Sequence, residues 1–166
     1  MDQAAHHEKS RAAFSSVLWS AFLTGIKIWA GVKTGSLGII SEALHSGLDL
    51  MAAGITFYAV RIAARPADES HPYGHEKIEN LSALAETALL LITCGWIVWE
   101  AIDRLFYNEA EITLTWWAFA VVAVSLLVDV NRSAMLRRVA KKHKSQALEA
   151  DALHFTTDIW SSAVVM

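Results

Sequence analysis

The sequence predicts an all-α fold, a polytopic bundle of transmembrane helices, and three observations carry that prediction. Hydrophobic residues make up 54% of the 166 and the mean hydropathy is +0.34, more apolar than a soluble domain of this length needs. The apolar residues fall into five runs, most of them near the ~20 residues that cross a bilayer as a helix. Each run also holds a few polar groups, which marks helices that satisfy one another inside a bundle rather than single anchors. Five helices are predicted, of an expected six.

Residues 1–12 are polar, with His6, His7, Glu8, Lys9 and Arg11, and read as a mobile cytoplasmic tail with no signal-peptide cleavage site. The helices follow at about 13–32, 37–62, 79–106, 113–136 and 146–166. Lys27 lies inside the first and needs a partner or a route to the interface, so it reads as structural. Cys94 lies in the third, where a lone cysteine reads as a small packed side chain. Trp96, Trp99, Trp116 and Trp117 fall near one predicted interface and Trp19 near the other, as anchoring belts do.

Lys and Arg set orientation, because they gather in short cytoplasmic loops. Lys9 and Arg11 precede the first helix. Arg61, Arg65 and Lys77 flank the link between the second and third, and Arg132, Arg137, Arg138, Lys141, Lys142 and Lys144 lead into the fifth. If the helices alternate, all three groups share one side. The other side receives Lys33, Arg104 and an acidic stretch with Asn108, Glu109 and Glu111. The amino terminus is therefore placed in the cytoplasm and the chain in the cell membrane. Beside a helix end, the run from Arg137 to Lys144 fits anionic lipid and excludes nucleic acid as a partner.

Ala-Leu-His-x-x-x-Asp occurs twice, as Ala43-Leu44-His45 with Asp49 and as Ala152-Leu153-His154 with Asp158. Residues four apart share a helix face, so each copy aims an imidazole and a carboxylate in one direction. At 1.5 Å per residue, the first pair lies about 12–18 Å from the outer end of its helix and the second about 10–16 Å from the inner end of its own. The pairs meet at one level in helices of opposite direction, so imidazole and carboxylate alternate around a centre. Two nitrogens and two oxygens suit a tetrahedral divalent ion, zinc first, with Co, Ni, Cd, Fe and Mn as alternatives. The opposing reading is polar glue between helices. Against it stands the cost of ionisable groups at mid-bilayer, at least about 2.5–3.5 kcal/mol each, which ligation explains.

Similar segments in oppositely running helices also fit an inverted repeat of three plus three, and the chain reads as truncated before a sixth helix. A second cluster, Asp68, His71 and His75, can gather one carboxylate and two imidazoles, or the His71-Pro72-Tyr73-Gly74-His75 segment only shapes the start of the third helix. Asp129 reads as the i,i+3 partner of Arg132, and Glu79 and Glu86 as acids favoured in the first turns of a helix.

On these residues, with Lys27, Gly31, Thr34-Gly35-Ser36, Ser41-Glu42-Ala43-Leu44-His45-Ser46, Lys77, Glu79 and the stretch from Ser145 to Asp158, the chain resembles the cation diffusion facilitator family over nearly its whole length. Glu42 stands where the family often has Asp, while Asp151 keeps that acid in the second copy. The resemblance implies a six-helix transporter, usually a homodimer, that exports divalent metal from the cytoplasm by alternating access in exchange for protons. It also implies a cytoplasmic carboxy-terminal domain beyond this chain, and zinc where both pairs contain His. The ion is then transported substrate and the chain is not an enzyme. Three rivals remain: a membrane zinc metalloenzyme with Glu42 or Asp151 as base, a haem-binding electron carrier ligated by His45 and His154, and an inert truncated subunit.

Overall fold

The computed structural model describes residues 3–35, 37–106 and 116–165. These form five helices: α1 (Gln3–Thr34), α2 (Leu37–Ala63), α3 (Ile78–Phe106), α4 (Trp116–His143) and α5 (Gln146–Val165). The acidic stretch with Asn108, Glu109 and Glu111, and the side chains of Arg104, Trp116 and Trp117, lie outside the described residues.

Local chemistry sets the helix ends. Thr34 returns its hydroxyl to the Ala30 carbonyl at 2.8 Å, and Gly35 follows at φ 64°, the left-handed conformation that closes a helix and that glycine adopts without strain. Lys144 takes the same conformation after α4, at φ 50°. Ser145 then caps α5, its Oγ accepting from the Leu148 N–H at 3.4 Å.

Two helices run further than their apolar patterns predict. α1 begins at Gln3, so the residues read as a tail are helical. Its polar side chains find partners across the bundle: Lys9 donates to Glu79 at 2.5 Å, and Glu8 accepts from Lys142 at 2.6 Å and lies 3.0 Å from His143 Nε2. α4 continues to His143 because its charged second half keeps a buried stripe of Leu136, Val139 and Ala140 at helical spacing.

α1 packs along α2 and α4 along α5 most extensively, while α5 also touches α3 and α2. The apolar core joins Ala12, Ala13, Val60, Leu136, Val139, Ala140, Ala147, Leu148, Ala152 and Phe155, at the end of the bundle where α1 begins. Alanine dominates because small residues let helix backbones approach. At the opposite end Gly31 does the same: a Cβ there would sit 2.9 Å from Ile40 Cγ1 and 3.3 Å from the Ile40 nitrogen.

Elsewhere the usual arrangement of a soluble protein is inverted. Trp29, Leu91, Ile92, Trp99 and Trp160 are all at least 66% exposed, whereas Ser16, Ser20, Lys27, Thr56, Glu86, Arg132, Asp151 and His154 are buried. A lipid-facing surface with polar groups satisfied between helices accounts for both halves. Among the described residues α1, α2 and α3 are long and apolar enough to span a membrane. The charges of α4's second half and of Glu149, Asp151 and Asp158 lower the hydropathy of the other two.

Candidate metal centre

α2 and α5 run in opposite directions past one another and bring their repeated pairs together. His154 Nε2 lies 2.9 Å from Asp49 Oδ1 and 3.6 Å from Asp158 Oδ2. His45 Nε2 lies 3.6 Å from Asp158 Oδ1 and 3.9 Å from Asp49 Oδ1. Each imidazole thus faces both carboxylates in an alternating ring. The order is the one that opposed helix directions dictate: His45 pairs in level with Asp158, and Asp49 with His154.

A zinc ion bound at about 2.0–2.2 Å holds its tetrahedral donors about 3.3–3.6 Å apart. The ligand atoms of His45, Asp49 and Asp158 lie within 4.8 Å of one another; His154 stands at the edge of this group, 3.6 Å from the other oxygen of Asp158 and hydrogen-bonded to Asp49 at 2.9 Å, a bond that an ion would replace. Among the described residues Asp158 Oδ2 is buried without a hydrogen-bond partner, an acceptor available to ligate. The side chains of Asp49 and Asp158 are 14% and 15% exposed and that of His45 is 26% exposed, whereas His154 is at 2%. The ring is therefore reached past His45 and closed behind His154.

A second layer fixes these helices. Lys27 Nζ donates to Glu42 at 2.9 Å and to Ser46 Oγ at 2.7 Å, while Thr24 Oγ1 donates to the Ser46 carbonyl at 2.9 Å. Lys27 so acquires the partner its depth requires, and the turn bearing His45 is pinned to α1. On the opposite side Arg132 Nη2 donates to Ser16 and Ser20 at 2.7 and 2.9 Å, Ser16 donates to Asp151 at 2.9 Å, and the guanidinium lies 3.6 Å from the centroid of Phe155. Asp129 lies 3.9 Å from Arg132, the expected i,i+3 spacing. The sequence reading anticipated the Asp129–Arg132 pair and a partner for Lys27 but missed the contacts of Arg132 with Ser16, Ser20 and Phe155 and the burial of Glu86, for which the seven-residue spacing of Glu79 and Glu86 on one face of α3 was the visible signal.

The loop cluster also assembles: the ligand atoms of Asp68, His71 and His75 lie within 4.8 Å of one another. His75 Nε2 is 3.4 Å from Asp68 Oδ2, and the two imidazole rings meet at a tilt of 43° with centroids 4.5 Å apart. Asp68 Oδ1 already accepts from Ser70 Oγ at 2.9 Å, Ser70 N–H at 3.0 Å and His71 N–H at 2.7 Å. The Ser70 hydroxyl above all, with the His71 backbone, holds the Asp68 carboxyl down at about 2.

Residues 13–166 match the cation efflux transmembrane domain. The chain belongs to the cation efflux family, the cation diffusion facilitators. It is 36% identical over 143 residues to an uncharacterized transporter of Synechocystis, covering 86% of this chain and 46% of that protein. To the magnetosome protein MamB of Paramagnetospirillum magneticum it is 31% identical, over 96% of the chain and 55% of the relative. To the cation-efflux pump FieF of Citrobacter koseri it is 30% identical, over 95% and 52%. The chain spans about half the length of these relatives. As a cation efflux transmembrane domain it is an integral membrane protein, in keeping with its apolar exterior.

Proposed function

We propose that this chain forms the membrane core of a secondary-active transporter that exports a divalent metal, zinc foremost, from the cytoplasm in exchange for protons. The observation that carries the reading is the cluster of His45, Asp49 and Asp158, whose ligand atoms lie within 4.8 Å of one another, with His154 beside it, 2.9 Å from Asp49 Oδ1 and 3.6 Å from Asp158 Oδ2; together the four side chains offer the donor set zinc takes. The names of the efflux-pump relatives support it. An enzyme site would keep an open position beside a general base; here Glu42 is tied to Lys27 and Asp151 is sealed from solvent.

The exchange follows from the donors. Metal requires neutral imidazole and ionised carboxylate, so protons and metal compete for the same four side chains. A proton arriving from outside expels the ion outward, and metal arriving from the cytoplasm expels the protons inward. In this reading the amino terminus and the α2–α3 and α4–α5 links face the cytoplasm of the cell, following the positive residues. Asp68, His71 and His75 form a second metal position at that surface, and the working protein is a homodimer.

The test is zinc flux into proteoliposomes with and without a pH gradient, repeated with cobalt, cadmium and manganese. Zinc uptake driven by the gradient is expected; gradient-independent or absent uptake of every metal would overturn the reading.

A further inference from the structure

Between the four-residue ring and the end of the bundle where α1 begins, two carboxylates are buried without a salt bridge of their own among the described residues. Glu86 on α3 is 1% exposed and Asp151 on α5 is fully buried. Glu79 accepts a hydrogen bond from Ser145, which sets α3 and α5 in register. Glu86 lies about 10 Å and Asp151 about 9 Å further in at 1.5 Å per residue, so they share a level. Glu86 Oε1 accepts from the hydroxyls of Thr56 and Ser82, and Asp151 Oδ2 accepts from Ser16. The other oxygen of each, Glu86 Oε2 and Asp151 Oδ1, is buried with no hydrogen-bond partner among the described residues.

The charged groups facing the pair come from three helices. His154 on α5 acts on both, Asp49 on α2 and Arg132 on α4 act on Asp151, and α1 contributes only the Ser16 hydroxyl. Arg132 is also shared with Asp129, and Lys9 is taken by Glu79. Among the described residues, Arg132 and the titratable His154 are the positive groups acting on this pair, and Arg132 is shared with Asp129, so the dry interior is short of positive charge whenever His154 is neutral. Two free oxygens fall short of the four donors a divalent ion takes. One proton needs a single oxygen.

We propose that Glu86, supported by Asp151, is a proton-carrying station separate from the metal ring, protonated when the ring is free of metal and deprotonated when metal occupies it. The proposal rests on the transport reading above. Asp151 lies three residues, about 4.5 Å along the axis, from His154, so a dication in the ring repels the proton toward the cytoplasmic end. The O–H bond of the Glu86 carboxyl breaks, the proton passes to water at the inner mouth, and it is regained when the metal leaves.

The test uses Glu86→Gln, which keeps an acceptor for Thr56 and Ser82 and cannot titrate. Protons released per zinc bound are measured by calorimetry of the purified protein in buffers of different ionisation enthalpy. The protonated-carboxyl infrared band is followed as zinc is added. The wild-type protein is expected to release about one proton more per zinc than E86Q and to lose a band that E86Q lacks. Equal proton release and unchanged bands, with zinc binding intact, overturn the proposal alone. The wild-type infrared spectrum decides the matter even if E86Q fails to fold, because a protein that binds zinc without losing a protonated-carboxyl band has no such station. A wild-type protein that binds no zinc overturns the transport reading and this proposal together.

Discussion

The membrane ring and the loop cluster are built from the same residue types yet differ in what their carboxylates are already doing. In the ring, Asp49 and Asp158 come from different helices, and Asp158 Oδ2 is buried without a hydrogen-bond partner among the described residues. In the loop, Asp68 Oδ1 accepts three hydrogen bonds from Ser70 and the His71 backbone and also lies 3.3 Å from His71 Nδ1. Donors held on separate helices keep an oxygen for an ion, and the His154–Asp49 hydrogen bond between them is what the ion would replace. A carboxylate that organises its own loop gives only its second oxygen.

The sharpest way to break this contrast is to remove a ring carboxylate. Asp49→Ala or Asp158→Ala is expected to reduce zinc flux to background in proteoliposomes, with membrane insertion intact. Zinc affinity should fall by at least the roughly 10–100-fold that loss of even a supporting partner costs a metal site. Flux near the wild-type level in either variant would remove the ring from the mechanism.

A substitution remote from both clusters should separate them. Gly31→Val places a branched side chain against the Ile40 backbone, and overpacking of this kind costs about 1–3 kcal/mol. Because α1 pins the His45 turn through Lys27 and Thr24, the ring should loosen while the loop cluster keeps its zinc. The checks are thermal unfolding in detergent and zinc titration of G31V with the ring removed and with it present. Equal loss of zinc at both clusters would mean that the bundle responds as one unit.

Much of the ring was legible in the sequence because it is local: i,i+4 spacing repeated in two long apolar helices of opposite direction sets its face and the level at which the two pairs meet. The extent of α1 was not legible. Glu8 and Lys9 look like tail residues until Lys142, His143 and Glu79 are brought to them from 70 and more positions away. Glu86 was hidden for the same reason, since only the arrival of Thr56 from α2 shows that it faces inward. Periodicity reports which face of a helix is apolar; it does not report which polar residues find partners.

Replacing Asp68 sharpens the comparison at the loop. Asp68→Asn keeps an oxygen that can accept from Ser70 and His71, whereas Asp68→Ala removes it. D68N is expected to retain the loop and lose the second zinc, with flux reduced less than about tenfold, within the cost of a supporting group. D68A should lose both the ion and the turn, seen as faster proteolysis between residues 66 and 75. Equal proteolysis of the two variants would mean that the charge of Asp68, and not its hydrogen bonding, holds the loop.

The smallest effect is the acid response of that loop. The Asp68 carboxyl is held at about 2 against an ordinary value of 3.8. Its contribution to stability is therefore fully present above about 3.8 and is lost as pH falls through about 2. Metal at the loop is lost at higher pH, because protons displace it from the imidazoles first. On acidification from pH 8 to pH 4, zinc should leave the loop while the Ser70 and His71 amides stay protected from hydrogen exchange. Amides that lose protection in step with zinc release would show that the ion, and not Asp68, organises this turn. The contrast between a loop that folds around its own carboxylate and a ring that keeps an oxygen for an ion would then fail.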